Sequence, residues 1–174
     1  MALFTRRRLL GAGLVTGGAV GAAAVGLVAV REPAPAVAGL RVLTPAQHRT
    51  MQLVARTHVP PGGPLAWSAA DVDVAGLFDG FLADQPDADQ RDAALALDLV
   101  DLGPLLFERR WTTFAALDDE QRLDHWNAWA VAPQATRREI WWSLARFVGM
   151  AVYDQPGAWP GIGYLGPSLA RRRG

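Results

Sequence analysis

Residues 9–30, LLGAGLVTGGAVGAAAVGLVAV, form an unbroken run without charge that follows directly on Arg6, Arg7 and Arg8. A segment of this kind targets or anchors a chain, so it is set aside before the fold is read. Ala36-Val37-Ala38 offers a small-x-small cleavage site before Gly39, with Ala36 and Ala38 as the candidate small positions. The expected division is therefore 1–38, a twin-arginine signal peptide or signal anchor, and 39–174, a single domain. Four of the 17 basic residues and one of the 17 acidic ones precede the cut, leaving 13 against 16 and a net charge of −3. A domain of this length supports a modest core. It is too short for a catalytic flavoprotein, or for a doubly wound cofactor domain with a substrate domain beside it.

The leader has two readings. Thr5-Arg6-Arg7-Arg8-Leu9-Leu10 matches the pattern Ser/Thr-Arg-Arg-x-Phe/Leu-Leu, with Arg6 and Arg7 as the pair and Leu9 and Leu10 as the apolar couple. The Gly/Ala-rich run that follows suits a cleaved export signal. As a helix, the same run would span about 33 Å, enough for the hydrocarbon core of a bilayer. Three arginines on its short side would then keep that end inside. Both readings place the domain outside the cytoplasmic membrane, in the periplasm or on the membrane's outer face. Twin-arginine export carries chains that are already folded.

Composition closes several routes to chemistry. The chain has no Cys, which excludes disulfides, thiolate zinc sites, covalent c-type haem and cysteine-held iron–sulfur clusters. All 17 basic residues are Arg, for which coding bias is explanation enough. A mildly acidic domain gives no reason to expect nucleic acid, which needs a concentrated basic surface. Arg171-Arg172-Arg173 is only a short tail.

Hydrophobic periodicity points to an all-α domain, an irregular bundle of about five helices with an ordered Gly/Pro/aromatic C-terminal segment. Thr44-Pro45-Ala46-Gln47 reads as a capping box with Pro at the first helical position. Met51, Val54 and Ala55 follow on one side, and Pro60-Pro61-Gly62-Gly63 ends the helix. Asp71 or Asp73 is expected to start a second helix, with Val74, Leu77, Phe78 and Phe81 as its stripe. A third is expected over 88–102 with Leu95, Leu99 and Leu102 turned to the core and Leu97 at the margin, then a short one over Leu105–Arg110. Asp118-Asp119-Glu120-Gln121 predicts another capped start, followed by Leu123, Trp126 and Trp129 or Ala130. Ile140, Trp141, Leu144, Phe147, Val148, Ala151 and Val152 mark the clearest amphipathic helix, predicted to be the spine of the core. No segment sustains a period of two.

Catalytic patterns are missing from this sequence. His48 and His58 are ten apart on one helix, hence about 80° apart in azimuth and about 15 Å apart along the axis, too far for a local metal pair. Each of these, and His125, is expected at the surface or the core edge. Asp84, Asp87, Asp89, Asp92, Asp98 and Asp101 read as a solvated helical face rather than a carboxylate pair or a calcium loop. There is no Gly-x-Ser-x-Gly, and Gly11-Ala12-Gly13 lacks the strand that a dinucleotide fingerprint needs.

The aromatic residues are the unusual feature. Trp141 and Trp142 are adjacent, so Trp142 falls beside the core line. After Tyr153 the chain reads DQPGAWPGIGYLGP, too rich in Gly and Pro for helix and too apolar for free solvent. Trp142, Tyr153, Trp159, Tyr164 and Pro167 are therefore candidates for a partner surface, where Trp, Tyr and Arg commonly anchor. Wrapping back over its own helices is the other reading of this ending, and the two are compatible.

Tyr153, Trp159, Gly163, Tyr164, Gly166 and Pro167, in that order after an aromatic helix, resemble the ending of the gluconate 2-dehydrogenase subunit 3 family. Pro60-Pro61-Gly62-Gly63 resembles that family's Pro-Gly-Gly turn, and the Asp118–Arg122 start and the twin-arginine leader add to the likeness. The resemblance covers most of residues 41–168. It implies a small, non-catalytic subunit of a membrane-associated dehydrogenase that binds no cofactor itself. Its partner would be an FAD-containing large subunit of the glucose–methanol–choline type, passing electrons to a cytochrome c subunit. The small subunit would aid maturation of that flavoprotein and carry it through the twin-arginine export machinery. A stand-alone, membrane-anchored helical envelope protein is the alternative that the residues leave open.

Overall fold

The computed structural model describes residues 33–63 and 67–165. Arg6, Arg7, Leu9, Leu10 and Pro167 lie outside them. Among the described residues there are six α-helices, five of them longer than six residues, and no strand. The all-α bundle expected from periodicity is what forms.

Helix α1, Pro45–His58, starts as its capping box dictates: Thr44 Oγ1 accepts from Gln47 N, and Gln47 Oε1 accepts from Thr44 N at 2.9 Å. Helix α2, Val74–Ala83, is capped by Asp73, whose carboxylate accepts from Gly76 N. Helix α3, Asp87–Asp101, has no side-chain cap but carries Asp87 and Asp89 where the positive end of the dipole favours them. Helix α4, Gly103–Glu108, ends at Arg109 in the left-handed region, φ 55°. A 3₁₀ turn, Phe114–Ala116, leads to helix α5, Asp119–Ala130, capped by Asp118. Helix α6, Ala135–Tyr153, is the longest, and a second 3₁₀ turn, Pro160–Ile162, lies in the ending.

The hub of the packing is α1, not the expected α6. It touches α2, α3, α5, α6 and the first 3₁₀ turn, whereas α6 packs mainly on α5, α1 and α2. The reason lies in side-chain size along α1. Met51, Val54 and Ala55 are fully buried, and Thr50 is buried too because its hydroxyl bonds to Ala46 O within the helix. Small and self-satisfied residues let neighbours close in from several sides.

Two predicted stripes are rotated. On α3 the buried positions are Ala93, Ala96, Leu97 and Val100, while Leu95 is 55% exposed. Leu97, expected at the margin, is at the centre. Ala93 and Ala96 admit α1 at short range, and Gln47 Nε2 then reaches Asp98 Oδ2 at 3.0 Å. On α2 the exposed residue is Leu77, and Asp79 takes a buried place in its stead. The helix expected over 105–110 begins two residues earlier, with Pro104 in its first turn, and Gly103 packs so closely that a Cβ there would lie 2.6 Å from His125 Nε2.

Asp79 is the main polar device of the fold. The residue is 3% exposed, and its carboxylate accepts three backbone N–H groups, from Arg41 at 2.8 Å, Val42 at 3.0 Å and Leu43 at 2.7 Å. Burial alone would raise its pKa. Those three donors, with His48 nearby, outweigh burial and hold it below the usual carboxylate value. The bend before α1 is thereby pinned to α2.

Candidate partner surface

Helix α6 buries Ile140, Leu144, Phe147, Val148, Ala151 and Val152, and turns Trp142, Arg146, Met150 and Tyr153 outward. Trp142 and Tyr153 are eleven residues apart, which returns them to the same side about 16 Å along the axis. Trp142 is 65% exposed and Tyr153 39%, with Met150 exposed beside them. Aromatic and thioether side chains left in water along one helix face form the kind of patch that marks an interaction site.

Trp142 is not loose. Its ring meets Trp141 edge-on, at 5.1 Å and 90°. Trp141 in turn packs on Trp126 at 5.7 Å and on His58 at 5.6 Å, so a chain of rings runs from the surface to the core. His58 Nδ1 accepts from Trp126 Nε1 at 3.3 Å, and burial lowers the pKa of His58, which favours the neutral ring that this bond needs. An aromatic side chain ordered in advance loses less entropy on binding.

At the far end of the line, Met150 and Tyr153 join Leu77 of α2 around a groove of about 590 Å³. Phe147 and Ala151 also line it, and Asp154 and Gln155 stand at its end. Phe78 and Phe81 brace the groove from α2, both in ring contact with Phe147. Leu77 and Met150 were not among the residues predicted for a partner surface. For Leu77, the sign available in the sequence was a surplus of apolar residues on α2, more than one buried stripe can hold.

The remaining candidates form a separate pair. Trp159 and Tyr164 meet edge-to-face at 5.3 Å, closed by Tyr164 N to Trp159 O at 3.0 Å and by Gly163 at φ 69°. Ala158 is buried, and Gly157 lies so close to the Trp67 ring that a Cβ would come within 2.6 Å of it. Ile162, Tyr164 and Leu165 are nonetheless exposed. The ending thus wraps back around Gly157 and Ala158 and presents its last described residues outward. Among the described residues no ring contact joins this pair to Trp142 and Tyr153. Trp111, in the bend between α4 and the first 3₁₀ turn, is 82% exposed.

Polar clusters elsewhere serve packing. His125, expected at the surface or core edge, is fully buried, with Nδ1 bonded to Glu108 and its ring against Phe114 and Trp129. Burial lowers its pKa, outweighing the pull of Glu108 in the other direction, while Arg137 and Arg110 add to the lowering. Asp101, read from sequence as solvated, is buried as well and accepts Ala115 N at 3.2 Å. A cleft of about 660 Å³ opens between the end of α1, Pro60-Pro61 and the start of α5, with Arg56, Asp119, Glu120 and Arg122 on its walls. Arg122 is already engaged, giving Nε to Phe114 O, Nη2 to Leu117 O and Nη1 to Asp119. Among the described residues, no three His, Asp or Glu side chains converge as metal ligands. No helix there is long and apolar enough to cross a membrane. Comparison with protein-family models, with curated proteins and with solved structures finds no match to this chain.

Proposed function

We propose that this chain is an exported, non-catalytic small subunit that binds an FAD-containing dehydrogenase of the glucose–methanol–choline type and assists its maturation and twin-arginine export. The observation that carries the reading is the outward line of Trp142, Met150 and Tyr153 on α6, continued by the Leu77 groove. A domain of this size gains nothing by leaving such a surface in water unless another protein covers it. Arg6 and Arg7 in the leader supply the export route, and the order of Tyr153, Trp159, Gly163 and Tyr164 supplies the family likeness. In this reading FAD belongs to the large subunit, electrons leave through a cytochrome c subunit, and the complex works outside the cytoplasmic membrane.

Affinity purification of the full chain from native membranes, followed by an absorption spectrum, tests the reading. The expected result is a flavin band that co-purifies with a much larger protein and disappears when Trp142 and Tyr153 are both changed to Ala. Recovery of the chain alone after gentle extraction would favour the second reading, a stand-alone envelope module. The length of the uncharged run 9–30, sufficient for a membrane anchor, is what keeps that reading in view.

A further inference from the structure

We propose that the bend after α4, carrying Leu106, Phe107, Arg109, Arg110 and Trp111, rests on the anionic headgroups of a phospholipid bilayer. Leu106 and Phe107 are exposed at the end of α4, and Trp111, four residues on, is 82% exposed. An indole has an apolar body and a polar N–H, which suits it to the level of the headgroups. A side chain standing so far out of the surface meets a flat bilayer more readily than it lines a groove.

The charges agree with this occupant. The domain from Gly39 onward carries a net −3, yet this bend is basic, with Glu108 as the only acid between Leu102 and Leu117. Both oxygens of Glu108 are taken: Oε1 bonds to His125, and Oε2 lies 3.8 Å from Arg110 Nη1. Arg109 is exposed, with no hydrogen bond or ion pair from its side chain among the described residues. A guanidinium in that position is open to a phosphate, whose oxygens match its fork. The α6 face differs in sign, since its groove ends at Asp154, a charge that anionic lipid repels.

Backbone geometry points the same way. Among the described residues Arg109 is the only non-glycine with a positive φ, 55°. Glycine suits such a helix end best, so an arginine there is kept for its side chain rather than for the turn. The bend is also held in advance. Arg109 N and Arg110 N both donate to Pro104 O, and Thr112 N donates to Arg110 O at 2.8 Å, a tight turn with Trp111 at its apex. Phe107 is braced edge-on by Trp129 at 5.8 Å, with the Arg137 guanidinium 4.6 Å from its ring. Little ordering remains to be done on contact. The export reading decides only which membrane is met; the contact itself needs no protein partner.

The test uses the full chain on vesicles of phosphatidylcholine with and without phosphatidylglycerol. Because the chain has no Cys, a nitroxide on Leu106→Cys or on Met150→Cys reports the depth of one face at a time, whether or not the run 9–30 is also in the bilayer. The Leu106→Cys label is expected at headgroup depth on the anionic vesicles alone, and the Met150→Cys label in water on both. Adding Arg109→Gly should lower the docked-to-free ratio about fivefold, the worth of one arginine near an anionic surface. That variant should melt at or above the temperature of the native chain, because the left-handed position is relieved. Trp111→Ala should also lower the ratio, and salt should lower it in the native chain. A Leu106→Cys label in water, equal depth without phosphatidylglycerol, a ratio unchanged by Arg109→Gly or Trp111→Ala, a lower melt in Arg109→Gly, or burial of Leu106→Cys only when an acidic protein is added would overturn the inference. The vesicles hold no dehydrogenase, so failure here leaves the partner reading standing, and failed flavoprotein capture leaves the lipid contact standing.

Discussion

The two ends of the domain are both poor in regular structure, yet they are held by opposite means. The lead-in at 41–43 is fixed by one buried carboxylate that satisfies three backbone donors in succession. The ending at 154–165 packs back through Gly157, close on Trp67, and through buried Ala158, and then turns Ile162, Tyr164 and Leu165 outward. Removing a buried acceptor strands several polar groups at once, whereas trimming an exposed ring leaves nothing stranded. One end is thus built for stability and the other leaves apolar surface available to a partner.

Substitution at the carboxylate should separate the two ends most clearly. Asp79→Ala is expected to cost about 3–5 kcal/mol, since each orphaned buried donor costs ~1–3 kcal/mol. Chemical denaturation measures this, and a loss under about 1 kcal/mol would erase the contrast. Acid gives a graded version. Asp79 has a folded-state pKa below its unfolded value, so its stability is present above about pH 4 and is lost as pH falls through the lower folded value. The lowered values of His58 and His125 act higher, with stability declining as pH drops below about 6.5. Thermal melts from pH 8 to pH 3 should therefore show an early decline, reduced in His125→Gln, and a late one absent from Asp79→Asn.

Smaller effects are expected at the other end. Gly157→Ala places a Cβ 2.6 Å from the Trp67 ring, so the turn must shift, at about 1–2 kcal/mol. The loss should be local, visible as faster amide exchange after Asp154 while 41–43 stay protected. Trp142→Ala should change stability by no more than about 0.5 kcal/mol. The same variant is expected to weaken capture of the proposed dehydrogenase partner by about tenfold or more, as loss of an aromatic anchor does. Unchanged capture would mean that the outward line of α6 is not the interface.

Much of the fold was legible because its signals are local. Thr44 with Gln47, Asp73 and Asp118 each mark a helix start by bonding to a backbone group three residues away. The apolar rhythm of α6 forces one face inward whatever lies opposite. The orientation of α3 was not legible in this way. Its apolar positions Leu95, Leu97 and Leu99 fit more than one rotation, and the choice depended on Ala93 and Ala96 meeting α1. For the candidate surface, Trp142 could be placed beside the core from its adjacency to Trp141. Leu77 and Met150 could not, because their exposure depends on how α2 and α6 are spaced.

The sequence by itself determined the helical class, the main cap positions and the lack of cysteine chemistry, since these follow from neighbours a few residues apart and from composition. Only the tertiary structure decided which charges are buried. Asp79, Asp101 and His125 look like any surface polar residue when read along the chain. Their partners lie up to 38 residues away, and only the folded bundle supplies the donors and acceptors that make burying them possible.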